Sequence, residues 1–319
     1  MKIHRRRHSA FTRPWTDSER STRHYTFRGD DRTLPFGRTW PPRKLSERYP
    51  IAPAPHIPDV GRWPDRGLFA AWLGHSSVLL KIDGVIILTD PILGRRAGVN
   101  LGVCTVGIRR DVAPALTVGE LPRPDLVVLS HAHMDHFDTP TLGELANPAT
   151  AVVTAKNTAD LLRFRRFRSV HELAWNEQIR LGDVSCKAVE ANHWGARYGS
   201  DTHRGYNAYV LECGRYKVLF AGDTALTDSF GTLKDQQGID LAIMPVGAYN
   251  PRIDRHCSPE QAWQMANAAG AEHVMPVHHS TFRLSQEAVH EPLDRFVTHL
   301  TGGDHRIVAS QIGQEFQLI

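Results

Sequence analysis

From Leu68 onward the sequence is built of short apolar runs, each ended by Gly, Asp, Asn or His. Runs of this length, bounded by turn-forming residues, are typical of buried β-strands. Asp83-Gly84, between two of the runs, predicts a tight hairpin turn. We predict strands at Leu68–Leu73, Val78–Ile82, Val85–Thr89, Leu126–Ser130, Ala151–Thr154, Tyr206–Glu212, Tyr216–Ala221, Leu241–Pro245 and His273–Val277.

Two helices are predicted between the later strands, over Thr158–Phe167 and Pro259–Ala269. The second has a clear start, because Ser258 can cap its first turn, Pro259 suits the first helical position and Gln261 completes a capping box. Strands that first follow one another in hairpins and later alternate with helices indicate sheets covered by helices. The fold class predicted is therefore α/β.

Residues 1–65 differ in composition from the rest of the chain. They hold nine prolines and carry a net charge of +7, from 14 Lys and Arg against 7 Asp and Glu, whereas residues 66–319 carry −3. Proline lacks a backbone donor, so this stretch suits neither a regular helix nor a central strand. We predict an extended Pro/Arg-rich N-terminal arm over residues 1–65 and a folded domain over residues 66–319.

The charge of the arm leaves open a peripheral contact with a membrane surface, while nucleic acid is the least favoured partner, since charged tails are more often solvated. A homo-oligomer is also left open. The four cysteines show no C-x-x-C pair, which argues against a disulfide framework and a thiolate zinc site. No apolar run reaches the length of a membrane span, and no apolar segment follows the basic N-terminus, so we expect a cytoplasmic protein.

The stretch Ser130-His131-Ala132-His133-Met134-Asp135-His136 directly follows one of the apolar runs. In an extended chain residues i and i+2 point to the same side, so His131 and His133 can converge on one metal ion. If the chain then turns into a helix, Asp135 and His136 can reach a second ion nearby. Imidazole and carboxylate ligands without thiolate predict Zn²⁺, with Mn²⁺ or Fe²⁺ as alternatives, rather than calcium.

Three later residues repeat this arrangement of a polar side chain just beyond an apolar strand. They are His193, Asp223 and His278. Each alone is more typical of a turn or a hydrogen-bonded structural residue. Together they predict one cluster, because loops that follow neighbouring strands gather at one edge of a sheet.

The order His131-x-His133-x-Asp135-His136, His193, Asp223, His278 resembles the metallo-β-lactamase superfamily. Within it, the chain is most similar to the branch that contains N-acyl-phosphatidylethanolamine phospholipase D and the ascorbate-6-phosphate lactonases. The likeness spans roughly residues 65–300. It is carried by Trp72-Leu73-Gly74-His75-Ser76-Ser77, Leu88-Thr89-Asp90-Pro91, the histidine motif, His193-Trp194, Ala221-Gly222-Asp223-Thr224, Pro245-x-Gly247-Ala248-Tyr249-x-Pro251-Arg252, His256-x-x-Pro259-Glu260 and His278-x-x-Thr281-Phe282.

The resemblance implies an αββα sandwich with the extended arm added, and a catalytic domain over residues 66–319 that binds two divalent metal ions. His279 competes with His278 for the last ligand position, and counting back from the Thr-Phe pair favours His278. The implied ligands are His131, His133 and His193 for the first metal, Asp135, His136 and His278 for the second, and Asp223 as a bridge between them.

The implied reaction is hydrolysis by a metal-bridging hydroxide, without a covalent enzyme intermediate. The catalytic residues predicted are Asp135, Asp223 and His256, the last with a loop position before Ser258 as its competing interpretation. Two further residues are predicted to orient the ligands, and three to contact substrate. The orienting residues are His75 and Asp90, and the substrate residues are Tyr249, Arg197 and Arg204, the arginines either binding a phosphate or being solvated.

The favoured hypothesis is a phosphodiesterase similar to phospholipase D, acting on a small-molecule or phospholipid-like substrate. The alternative is a lactonase or β-lactamase-type hydrolase of carboxylic esters or amides, since the same hydroxide can attack either bond. An iron-dependent oxidoreductase and a non-catalytic nucleic-acid-binding protein are less favoured, because neither accounts for seven predicted ligands.

Overall fold

The structure, a computed structural model, describes residues 50–234, 238–298 and 304–319. The helices in these ranges are α1 (Thr139–Leu145), α2 (Pro259–Ala268) and α3 (Glu291–Thr298). The strands are β1 (Leu68–Gly74), β2 (Ser77–Ile82), β3 (Val85–Thr89), β4 (Arg96–Asn100), β5 (Thr105–Arg109), β6 (Leu126–Leu129), β7 (Ala151–Ala155), β8 (Ser169–Leu173), β9 (Gln178–Leu181), β10 (Val184–Val189), β11 (Ala208–Cys213), β12 (Tyr216–Phe220), β13 (Ile239–Pro245), β14 (Ala271–Val277) and β15 (Glu315–Leu318).

The first sheet joins seven strands in the order β15-β1-β2-β3-β6-β7-β8. Strands β2 and β3 form the predicted hairpin, in which Asp83 and Gly84 have φ of 45° and 89°, as a type I′ turn requires. From β3 to β8 neighbouring strands run parallel. Their carboxyl ends therefore meet at one edge, which carries Asp90 after β3 and His131 just after β6.

The second sheet joins six strands in the order β14-β13-β12-β11-β10-β9. Strands β12, β13 and β14 run parallel, so the residues that follow β12 and β14 also meet at one edge. Helix α2 connects β13 to β14 and begins as predicted, with the Ser258 hydroxyl accepting a hydrogen bond from Gln261 N–H. Asp223 follows β12 and His278 follows β14 at this edge.

The two sheets pack face to face, and helices cover the outer sides. The Tyr209 hydroxyl of the second sheet donates to the Leu129 carbonyl of the first at 3.1 Å, deep in the main core. Met265 of α2 and Phe296 of α3 are buried in a second apolar cluster on the outer side of the second sheet. Leu142 of α1 belongs to the main core. The predicted sandwich of two sheets between helices is therefore what the structure shows.

Residues 50–65, which we assigned to the arm, lie against the folded body. Ala52 N–H donates to the Asp111 carbonyl at 2.9 Å, and Ala113 N–H donates to the Ala52 carbonyl at 2.7 Å. Trp63 is buried in the main core and donates its indole N–H to Glu315 at 2.6 Å. The rest of the predicted arm lies outside the described residues, so its extended form stays a prediction.

The predicted helix over Thr158–Phe167 is wrong. Only Ala159–Leu162 is helical there, as a single 3-10 turn, although Glu172 accepts hydrogen bonds from Thr158 N–H and Ala159 N–H. Arginines then crowd the segment, and like charges one turn apart destabilise a helix. These arginines are Arg163, Arg165, Arg166 and Arg168.

Sequence reasoning missed strands β4, β5, β8, β9, β10 and β15 and helices α1 and α3. Strands β8, β9 and β15 are mostly half-buried or exposed, so they lack the continuous apolar run that reveals a central strand.

None of the helices in the described ranges has the length and apolar composition needed to cross a bilayer.

Candidate metal centre

The seven predicted metal ligands lie together at the edge where both sheets end. Each offers a ring nitrogen or a carboxylate oxygen to one of two neighbouring groups, and within each group these atoms lie within 4.8 Å of one another. The first group is His131, His133, His193 and Asp223, and the second is His75, Asp135, His136 and His278. The geometry therefore brings together every residue that the sequence predicted as a ligand, together with His75.

In the first group, hydrogen bonds fix which ring nitrogen faces the centre. His193 donates Nδ1–H to the Arg255 carbonyl at 2.8 Å, so its Nε2 lone pair points inward, 3.3 Å from His133 Nδ1. His131 Nε2 lies 2.7 Å from His133 Nδ1. Three imidazoles thus direct nitrogen atoms at one point, which suits a Zn²⁺-type ion.

In the second group, nitrogen atoms face carboxylates. His136 Nε2 lies 3.5 Å from Asp135 Oδ2, and His278 Nε2 lies 3.7 Å from the same oxygen. Because His136 donates its other ring N–H to Asp90 at 2.6 Å, its Nε2 carries a lone pair unless a proton is added. A lone pair facing a buried carboxylate is unfavourable, so this arrangement needs a cation between the two.

Asp223 lies between the two groups. Its Oδ2 is 3.2 Å from Nε2 of both His136 and His278, and 3.7 Å from His193 Nε2. Its other carboxylate oxygen is buried without a hydrogen-bond partner. The Nε2 atoms of His136 and His278, which face the carboxylates, are buried and unpaired as well. Unpaired buried polar atoms are costly, so these residues fit two bound metal ions, with Asp223 placed to contact both.

The pKa values of the cluster also indicate that it suits bound metal ions. Burial lowers the pKa of His133 to about 4 and that of His193 to about 3, so both rings are neutral and able to bind metal at pH 7. Burial alone would also lower the pKa of His278, but the carboxylates of Asp223 and Asp135 outweigh it and raise the pKa to about 9. The buried carboxylates are therefore stabilised by nearby positive charge. When no metal ion is bound, protons on His278 and His136 supply that charge.

Asp90 orients two of the predicted ligands from behind. It accepts hydrogen bonds from His136 Nδ1–H at 2.6 Å and from the Ser130 hydroxyl at 2.5 Å, and that hydroxyl in turn lies 2.8 Å from His131 Nδ1. Asp90 and Ser130 are both fully buried. His75 has a similar role on the other side, because its Nε2 lies 3.0 Å from Asp135 Oδ2.

We expect Asp90→Asn to weaken metal binding by about 10- to 100-fold, because Asp90 accepts through both carboxylate oxygens, and an amide replaces one of these acceptors with a donor. Competition of the protein with a chromogenic chelator for zinc measures this loss. Asp111→Asn is the matched control, since Asp111 is paired with Arg283 at 2.8 Å outside the cluster. Unchanged zinc affinity in Asp90→Asn would contradict the orienting role.

The structure separates His278 from its competitor His279. His278 points into the cluster, whereas the His279 ring packs on Trp72, with ring centres 4.5 Å apart, and its Nδ1 lies 2.9 Å from the Ser280 hydroxyl. The positive φ of His278, 65°, turns the chain so that these two neighbours face different ways. The ligand favoured by counting along the sequence is the one that reaches the cluster.

His256 lies beside the cluster, next to Asp223. Its Nδ1 is buried, unpaired and 3.7 Å from Asp223 Oδ2, and burial lowers its pKa to about 3. The Trp194 ring lies beside His256. The centre of the Trp194 ring is 4.4 Å from the centre of the His133 ring. The guanidinium groups of Arg252 and Arg255 lie 5.8 Å and 5.5 Å from the centre of the Trp194 ring. We call Trp194, Arg252 and Arg255 the basic rim.

The basic rim was missed as a functional feature. Trp194 and Arg252 fall within motifs that the sequence analysis quoted, but nothing in a single sequence indicates that residues 58 positions apart stack on each other. The signal that could have identified the rim was the adjacency of Trp194 to a predicted ligand, His193.

The three predicted substrate residues make contacts within the protein. The Tyr249 hydroxyl donates to Glu291 at 2.8 Å. Arg197 donates to the carbonyls of Ala132 and Phe137, both at 2.9 Å, and so holds the loop of the histidine motif. Arg204 is paired with Asp160 and Asp201, each at 2.6 Å. These contacts favour structural roles over the predicted phosphate binding by the arginines.

Comparison with known proteins agrees with this geometry. A family model described as the beta-lactamase superfamily domain matches residues 86–279, which is more than half of the chain. The chain belongs to the metallo-β-lactamase superfamily. It is a metal-dependent hydrolase of that superfamily, and its histidines and aspartates form groups able to hold divalent metal ions.

Two relatives show how far the similarity extends. An uncharacterized protein of Mycobacterium tuberculosis is 32% identical over 261 residues, covering 79% of this chain and 69% of the relative. The N-acyl-phosphatidylethanolamine-hydrolyzing phospholipase D 1 of Caenorhabditis elegans is 30% identical over 251 residues, covering 72% and 69%. The structure of Igni18, a metallo hydrolase of Ignicoccus hospitalis, has a TM-score of 0.60 at 17% identity, covering 80% of this chain and 99% of Igni18. The predicted fold class is confirmed.

Proposed function

We propose that this protein is a zinc-dependent phosphodiesterase that acts on a phospholipid-like substrate. The observation that carries the proposal is the 30% identity to the C. elegans enzyme, whose name states that it hydrolyses N-acyl-phosphatidylethanolamine. The donor set supports zinc, because six histidines and two aspartates without thiolate suit that ion.

Two divalent ions held by this cluster would lower the pKa of a bound water and polarise the oxygen of the scissile bond. The protein's own groups orient the substrate around that point. His256 is neutral at pH 7 because burial lowers its pKa to about 3, so one ring nitrogen carries a proton to donate to an oxygen of the substrate. Its Nδ1 lies 3.7 Å from Asp223 Oδ2, and this proximity supports the role as a donor.

The basic rim favours a phosphodiester over a neutral ester. A phosphodiester anion has two non-bridging oxygens, so one can lie at the metal centre while the other accepts from a guanidinium. Stacking on Trp194 holds the guanidinium groups of Arg252 and Arg255 in place before substrate binds. A lactone carbonyl has no second anionic oxygen and gains less from the same arginines.

Parallel assays with a chromogenic phosphodiester, a short-chain phospholipid and a chromogenic lactone test the proposal. We expect the phosphodiester and phospholipid to be turned over faster than the lactone. In Arg252→Met, kcat/KM for the phosphodiester should fall by about tenfold or more, with lactone turnover unchanged. Arg215→Met is the matched control, because Arg215 also stacks on an aromatic ring, that of Tyr216, but at the opposite end of β12.

Faster turnover of the lactone than of either phosphate ester would overturn the proposal in favour of a lactonase. Equal losses for both substrate types in Arg252→Met would remove the assigned role of the basic rim, because they would indicate a structural effect of the substitution.

A further inference from the structure

The hairpin formed by β4 and β5 has an apolar tip that the fold leaves exposed. Val99 and Val106 pair directly across the two strands, and Leu101 and Val103 lie in the turn between them. Their exposures are 37% for Val99, 43% for Val106, 61% for Leu101 and 94% for Val103. Isolated exposed apolar residues are normal, but four contiguous ones at a projecting tip indicate an interaction surface.

The base of the hairpin is firmly held, so the tip is presented on a fixed support. Ala97 and Ile108 are buried against Ile92 and Phe282 in a small apolar cluster. Gly98 and Gly107 pair across the strands, and a Cβ on either would lie within 2.1 Å of the opposite backbone. The two strands are therefore closely apposed, and a hairpin of five pairs reaches roughly 15 Å from base to tip.

Within the hairpin segment the charged residues are of one sign, and the flanking acidic residues, Asp90 and Asp111, lie at its base. Between Pro91 and Arg110 the sequence contains four arginines and no Asp or Glu. Arg95 is exposed, Arg96 and Arg109 are half-buried, and Arg110 is buried at the base. An apolar tip with cationic groups behind it is complementary to a lipid surface that carries anionic headgroups, where apolar side chains enter the interface and arginines meet phosphates.

We propose that the β4–β5 hairpin docks the protein on the surface of an anionic phospholipid bilayer, with Leu101 and Val103 inserted among the lipids. A second copy of the chain, docked hairpin against hairpin, fits this surface less well, because it would cover the apolar tip but give the arginines no anionic partner, since the segment has no Asp or Glu. The bilayer satisfies the apolar tip and the positive charge together. This proposal concerns a surface outside the metal centre and does not depend on which ester the protein hydrolyses.

The hairpin also has a physical connection to the metal centre. Phe282, which packs on the base of the hairpin, lies 5.2 Å from the His75 ring, centre to centre. Arg110, the last residue of this segment, places its guanidinium 4.9 Å from the centre of the same Phe282 ring. Docking through the tip would therefore hold the catalytic edge of the sandwich at a defined place relative to the lipid surface.

Cosedimentation of the full, zinc-loaded chain with vesicles tests the proposal. The vesicles contain phosphatidylcholine alone or phosphatidylcholine mixed with phosphatidylglycerol. We expect binding to the anionic vesicles that weakens as salt is raised, and a loss of about tenfold or more in the double variant Leu101→Asp, Val103→Asp. Arg95→Glu should reduce the preference for the anionic vesicles.

The matched control is Ile57→Asp combined with Phe164→Asp, two apolar residues that are 76% and 81% exposed outside the hairpin. This control should bind vesicles as the unchanged chain does. Zinc content and Tm are measured for every variant, so a folding defect is recognised separately from a loss of binding. Vesicle binding, zinc content and Tm are all measured without following turnover of a substrate. A failure of this proposal is therefore distinguishable from a failure of the proposed hydrolysis.

Three results would overturn the proposal. The unchanged chain could fail to sediment with anionic vesicles, or the tip variant could sediment as well as the unchanged chain, which would assign binding to another segment such as residues 1–49. A change from dimer to monomer in the tip variant, with vesicle binding unaltered, would identify the hairpin as a contact between two copies.

Discussion

The Asp223→Asn variant is expected to lose hydrolytic activity by about 10³-fold or more in kcat. Asp223 Oδ2 lies within 3.7 Å of ring nitrogens from both ligand groups, so one substitution would affect both of the ions that these groups would hold. An asparagine keeps the shape of the side chain but removes the negative charge that offsets the repulsion between two cations. Polarisation of the scissile bond by metal ions contributes several kcal/mol, which is the origin of the expected factor.

Two measurements on Asp223→Asn are needed together. Metal content by elemental analysis should fall below that of the unchanged chain, and activity should not be restored by adding zinc at moderate concentration. Asp228→Asn is the control, because Asp228 is an exposed aspartate five residues further along the chain. A variant that retains full turnover would exclude Asp223 from the catalytic centre, whichever bond the protein hydrolyses.

The clustering of His131, Asp223 and His278 could be predicted because each follows an apolar strand that the sequence makes visible. Burial of β6, β12 and β14 is nearly complete, so their apolar runs stand out, and the polar residue that ends each run is conspicuous. His131, Asp223 and His278 were found in this way. Parallel pairing aligns the ends of β12 and β14 within the second sheet, and the packing of the two sheets brings this edge beside the end of β6 in the first sheet.

Contacts between side chains could not be predicted in the same way. Arg197 and Arg204 lie close in sequence to His193, which suggested phosphate binding, but their partners come from other segments of the chain. His75 lies 3.0 Å from Asp135, a contact between residues 60 positions apart. A single sequence shows which residues are charged. It does not show which carboxylate or carbonyl satisfies each of them, because that depends on how loops pack.

The hairpin β4–β5 was missed for a different reason. Its two glycines, Gly98 and Gly107, and its exposed apolar tip do not follow the alternation expected of a half-buried strand. Strand prediction relies on burial, and this hairpin is partly outside the core. The features that hide it from sequence analysis are therefore the ones that make it a candidate for interaction with another surface.

Removal of the metal ions with a strong chelator is expected to abolish activity and to lower Tm by roughly 10 °C, the shift that corresponds to ligand present at about a thousandfold above its Kd. Asp90, Asp135 and Asp223 are buried carboxylates that depend on nearby positive charge. Without metal, protons on His136 and His278 must supply that charge. Restoration of activity by about two equivalents of zinc per chain would support the two-ion arrangement.

The Tm difference between metal-loaded and metal-free protein should widen as pH rises from 6.5 to 9. His278 has a folded-state pKa raised from 6.5 to about 9, so its protonation stabilises the metal-free protein fully below pH 6.5 and is lost as pH approaches 9. Metal binding strengthens over the same window, because the protons that compete for the ring nitrogens are fewer. Thermal unfolding at several pH values, with and without chelator, measures this Tm difference. The control is His273→Gln, which changes a histidine outside the cluster and should show the same widening. If the Tm difference narrows as pH rises, protons on His136 and His278 do not neutralise the buried carboxylates of the metal-free protein.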